Sequence, residues 1–191
     1  MKVSIKERHL EFIARALGKY PSAQHQALIV ELWRDHKYIN PEAFTYISRQ
    51  DRERTFQLLV PYLEAFEKNH RTIGEERLVQ PMVSFLLNYD REVAVRVIAT
   101  NLRTADIPYF EEFVPFVRLL KEDAFIEPLF YRLEREWNAY IVFDAVEALL
   151  VYDRPEIQER ILPASRKNEE IVDQYFSRAD LERTIRKMLA K

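Results

Sequence analysis

A chain of 191 residues, 48% hydrophobic and 31% charged, has the length of one domain or a short array and the composition of a globular protein with a sizeable core. Its formal net charge of −2 provides no bulk attraction for nucleic acid or an acidic membrane surface, and its lack of cysteine excludes disulfides, thiol nucleophiles and thiolate metal sites. Only Gly18 and Gly74 are glycine, against nine prolines. Tight turns between strands draw on the positive φ that glycine supplies, so an all-helical chain is expected.

Apolar residues recur at helical spacing from the start. Leu10, Ile13, Ala14 and Leu17 fall on one face, with Gly18 as the stop. The next helix begins near Pro21 in "YPSAQHQALIVELWRDH", and Pro41 opens a third, "PEAFTYISRQ". A fourth is expected from Asp51, an N-cap residue type, to about His70, before "RTIGEE" interrupts it. The opening "MKVSIKERHLEF" is too charged for a signal-peptide core, and the apolar runs are far short of the ~20 residues that span a bilayer. The expectation is a cytoplasmic protein with no membrane association.

Residues 75–168 contain an internal repeat. A shift of 47 residues lays Glu75 on Glu122, Leu78 on Phe125, Pro81 on Pro128, Met82 on Leu129 and Leu86 on Leu133. Beyond the following turn the better shift is 48. It pairs Asp90 with Asn138, both N-cap types, then Val97 with Ala145, Ile98 with Val146, and Pro115 with Pro163. The expected unit is three helices, spanning 75–121 and again 122–168. A divergent earlier copy occupies 21–74, with a cap helix in 1–20 and a C-terminal cap in 169–191. One such unit leaves an apolar face uncovered, and stacking its neighbours buries it, which is the logic of a helical solenoid. Pro81 and Pro128 leave two options open: each kinks a longer helix, or each sits in the first turn of a shorter one.

"LVQPMVSFLLNYDREVAVRVIATNL" resembles a HEAT or armadillo-type repeat in Leu78, Pro81, Leu86, Asp90, Val95, Arg96, Ala99 and Leu102. The next copy keeps Pro128 but has Phe143 and Asp144 where Val95 and Arg96 stand, and residues 1–70 match poorly. The resemblance implies a right-handed α-solenoid of about three three-helix repeats, in which the second helix of each unit lines a binding surface.

No constellation of residues points to catalysis. The histidines, His9, His25, His36 and His70, include no i, i+4 pair, and Glu67 with His70 lacks the second Glu-x-x-His that a di-metal site needs. The neighbouring acids Glu75–Glu76, Glu111–Glu112 and Glu169–Glu170 diverge by about 100° on a helix and make no dyad. No glycine-rich phosphate loop or nucleophile elbow is present. The expectation is therefore no catalytic residue, no metal and no cofactor. Glu92, Arg96, Thr100 and Arg103, with Arg91 beside them, make one polar helical face. Tyr140, Asp144 and Glu147 make the equivalent face one repeat later, acidic and aromatic. An arginine-rich patch beside an acidic one suits a protein or peptide of mixed charge. The reading is a non-catalytic scaffold, monomeric or weakly oligomeric. The alternative, a nucleic-acid-binding solenoid, draws on the basic C-terminal "RADLERTIRKMLAK", where cations late in a helix also offset the dipole, and is disfavoured by Asp144 and Glu147.

Overall fold

The computed structural model describes residues 16, 22–36, 39, 41–66, 76–105, 107–168 and 177–190. Gly18, Pro21, Glu67, His70, Gly74, Glu75 and the Glu169–Glu170 pair lie outside these residues. So does the expected N-terminal cap, apart from Ala16, which is helical. The fold is all-α: the described residues form ten α-helices, one 3-10 turn and no strand. None of these helices is long and apolar enough to cross a membrane. The chain divides into two compact units, residues 1–94 and 95–191.

The first unit contains α1 (Ala23–His36), α2 (Pro41–Gln50), α3 (Arg52–Glu64) and α4 (Glu76–Tyr89). Local chemistry sets their starts. Ser22 Oγ accepts from the His25 amide at 3.2 Å ahead of α1, Pro41 is the first residue of α2, and Asp51 caps α3 by accepting from the Arg54 amide at 2.9 Å. Packing then selects the buried faces. Ala43, Phe44 and Ile47 of α2, Leu59, Tyr62 and Leu63 of α3, and Leu78, Met82 and Leu86 of α4 are all buried. α2 packs against α1, α3 and α4, and α3 also packs against α4. Rings fill the centre: Trp33 meets Phe44 and Tyr62 edge-on at 6.1 and 5.9 Å, and Phe44 meets Phe85 at 6.1 Å. Towards the surface Tyr89 stacks on Phe56 at 4.5 Å and donates its hydroxyl to Glu53. Arg52 lies over both Phe85 and Tyr89.

The unit boundary falls inside α5 (Arg91–Thr104), capped by Asp90, whose Oδ1 accepts from the Val93 amide at 3.0 Å. The second unit continues with α6 (Ile107–Leu120), a 3-10 turn (Asp123–Phe125), α7 (Ile126–Arg135), α8 (Ala139–Leu150), α9 (Pro155–Arg166) and α10 (Arg178–Leu189). Helix α8 is the hub and packs against α6, α7, α9 and α10. Its sequence fits that position, because Ala139, Ile141, Val142, Ala145, Val146, Ala148 and Leu149 are all buried, almost all the way round the helix. Asn138 caps it, accepting from the Tyr140 amide at 2.9 Å.

Buried polar side chains tie the ends of these helices together. Arg132 donates to the carbonyls of Leu102 (3.0 Å) and Ala105 at the end of α5, and to Glu136 at 2.7 Å. Asn168 donates to the carbonyls of Leu133 (3.0 Å) and Glu136 (2.7 Å). Carbonyls in a last helical turn lack intrahelical partners, and these side chains supply them. Three surface ion pairs then link the α7 region to the α9 region: Asp123–Arg154, Glu127–Arg160 and Glu134–Lys167.

The two prolines paired by sequence turn out to differ. Pro81 lies inside α4, where it removes one backbone hydrogen bond, whereas Pro128 is the third residue of α7 and follows a 3-10 turn. In the first turn of a helix the missing N–H costs nothing, which is why α7 accepts Pro128 there.

Candidate functional site

Helix α8 directs one stripe of polar side chains outward. Tyr140 is 58% exposed, Asp144 is half-buried one turn later, and Glu147 is exposed one turn beyond that. This i, i+4, i+7 spacing is one helical face. Opposite stands α6, whose Arg118 donates to Glu147 at 2.9 Å. Glu111, seven residues before Arg118 on α6, adds a further carboxylate to the field around Asp144. Partial burial, then the charges of Glu111 and Glu147, raise the pKa of Asp144, and Arg118 opposes them. The exposed side chain of Trp137 (55%) lies in the turn just before α8.

Beyond Glu147 the stripe opens into a cavity of about 560 Å³ lined by Arg118, Glu147, Leu150, Val151, Met188 and Leu189. Asp153, with its backbone in the left-handed region (φ 51), stands at the same cavity. Helix α10 contributes Met188 and Leu189, buries Leu181 and Ile185, and is linked to α9 at the surface through Glu182. Arg166 and Arg186 each approach Glu182 at 2.6 Å and hold its carboxyl at about 2, well below the ordinary range.

The α5 residues lead elsewhere. Arg91 and Glu92 are exposed in the first turn of α5, within the first unit. Arg96 is exposed in the second unit, and Thr100 donates its hydroxyl to the Arg96 carbonyl at 3.0 Å. The Arg103 guanidinium lies 4.1 Å from the centre of the Tyr131 ring, and Arg135 reaches the same ring at 4.6 Å. These two cations, Arg135 first, lower the pKa of Tyr131. Thus Tyr140, Asp144 and Glu147 share one face of α8, while Arg103 joins a different group, on α7. The sequence reading missed Arg118, Tyr131, Arg135 and the cavity floor. For Arg118 a local signal existed, since it shares a face of α6 with Glu111 at i, i+7.

Among the described residues no group of three His, Cys, Asp or Glu is placed to hold a metal ion. Comparison of the chain with family models, curated proteins and solved structures finds no match in any of the three.

Proposed function

We propose that this chain is a helical-repeat protein of HEAT or armadillo type, acting in the cytoplasm as a non-catalytic scaffold that holds a protein or peptide. Support for the repeat comes from burial, which recurs in the register read from sequence. At a spacing of 47, Leu78 and Phe125, Met82 and Leu129, Val83 and Phe130, and Leu86 and Leu133 are all buried. At 48 the same holds for Ala94 and Val142, Val97 and Ala145, Ile98 and Val146, and Phe113 and Ile161. Pro115 and Pro163 are both exposed inside their helices, each nine positions into its helix.

A single observation carries the binding role: the most buried helix of the second unit still presents an aromatic and two carboxylates to solvent, with Trp137 beside them. Aromatic residues on a rigid surface are the usual anchors of protein partners. The test captures a partner with the full chain, identifies it, and measures its purified affinity for variants. Trp137→Ala, Tyr140→Ala and Glu147→Gln are each expected to weaken binding about tenfold, ~1.4 kcal/mol, with an unchanged far-UV circular dichroism spectrum. Equal affinity for all three variants would remove this surface from consideration.

The nucleic-acid reading has one observation in its favour, the two guanidiniums gathered on Tyr131. Arg103 and Arg135 each lie in the last turn of a helix, however, where a cation offsets the dipole without any ligand. The scaffold is the better account.

A further inference from the structure

We infer that the second unit holds a groove for an extended cationic segment of polypeptide, with a Lys or Arg of the ligand opposite Asp144 and an apolar side chain seated in the cavity between α8 and α10. The inference rests on the scaffold reading and adds the chemistry of what is held.

Charge is the first reason. Glu111, Asp144, Glu147 and Asp153 face this region, and the arginine among them, Arg118, is already engaged by Glu147 at 2.9 Å. Among the described residues Glu111, Asp144 and Asp153 make no ion pair. Asp144 is also half-buried, so its charge is partly stripped of water, and among the described residues it feels Arg118 only at a distance, without an ion pair of its own. A ligand ammonium or guanidinium supplies the missing counter-charge in a place where attraction exceeds that in open water. An anionic ligand meets repulsion there.

Shape is the second reason. Leu150, Val151, Met188 and Leu189 give the cavity an apolar floor, and methionine adapts its packing to varied side chains. Tyr140 of α8 and Val151, the residue that caps the end of that helix with helical backbone angles, lie eleven positions apart on one face, a run of about 16 Å at 1.5 Å per residue. That length exceeds one side chain and matches about five residues of extended chain. Asp144 stands seven positions before Val151, about 10 Å, which an extended ligand crosses in about three residues. The groove therefore specifies a basic residue and an apolar residue three positions apart.

The test selects binders to the full chain from a displayed library of random peptides, then measures the best peptide against variants by fluorescence polarisation. Enriched peptides are expected to share Lys or Arg three positions from Leu, Met or Phe. Asp144→Asn, which keeps the side chain's shape, and Leu189→Lys, which fills the cavity with a cation, are each expected to weaken binding about tenfold, and added salt to weaken it further. Peptides lacking a basic residue, or binding indifferent to Asp144→Asn, would overturn the proposal. If such peptides were instead lost on Arg96→Glu or Arg103→Glu, the scaffold reading would survive with a different site. No enriched peptide at all would count against both. A dimer of the full chain that Asp144→Asn dissociates would assign the groove to a second copy and overturn it as a peptide site.

Discussion

The two units solve the same packing problem with different side chains. The first, residues 1–94, is centred on rings, with Trp33, Phe44, Tyr62 and Phe85 meeting edge-on. The second, residues 95–191, is centred on α8, where alanine and branched aliphatics let four helices approach, and its polar residues tie the helix ends. Large rings concentrate stability in a few side chains, so one truncation opens a large void. Small side chains spread it out and shift the vulnerability to buried polar groups, such as Glu136, that are stable only while their partners remain.

The sharpest break in this comparison comes from Trp33→Ala, expected to cost up to about 5 kcal/mol in urea unfolding, whereas Trp137→Ala, at an exposed turn, should cost under about 0.5 kcal/mol. These are the only two tryptophans, so each variant leaves one fluorophore to report on its own unit. A smaller loss, about 3 kcal/mol, is expected in the second unit from Arg132→Met, because Glu136 then stays buried without its cation. Replacing Glu136 by Leu in the same chain should restore most of it, and failure to do so would mean that Arg132 matters chiefly for the α5 carbonyls.

Acid separates two carboxylates within the second unit. Glu182 is depressed to about 2 by Arg166 and Arg186, so its contribution is complete above the unfolded value near 4.5 and is lost as pH falls toward 2. Asp144 is raised, so the stability it favours is present below its ordinary value of 3.8 and is lost as pH rises through its folded value. Thermal melts should show Glu182→Gln losing stability at pH 7, where Asp144→Asn gains it, and both differences shrinking toward pH 2. A small gain is expected at Lys121, held at φ 50 after α6. Lys121→Gly should raise stability by about 1 kcal/mol or less through relief of left-handed strain.

Much of the fold was legible because its determinants are local. Asp51, Asp90 and Asn138 are cap residues in sequence and caps in structure, and the helix order within 75–168 follows the spacing of apolar residues. Pro81 and Pro128 look alike in a string, yet the 3-10 turn at Asp123–Phe125 sets Pro128 near the start of its helix. The left-handed residues escaped notice because Lys121 and Asp153 carry no glycine signature. On α8 the outward stripe follows from i, i+4, i+7 spacing, whereas the cavity joins Arg118, Leu150 and Met188 from three separate helices, and no local pattern encodes that. Glu111 and Glu112 read in sequence only as an adjacent pair, and the Asp144 carboxylate that Glu111 influences lies on another helix.

The repeat proposal requires Glu122 to Asn168 to be a complete stacking unit. It is tested by inserting a second copy of that segment directly after Asn168 and measuring far-UV circular dichroism and urea unfolding. A repeat array should gain helical signal in proportion to the added segment and unfold no earlier than the parent, since each copy covers its neighbour's apolar face. An insert that adds no helical signal, or a chain that unfolds earlier or aggregates, would contradict the claim.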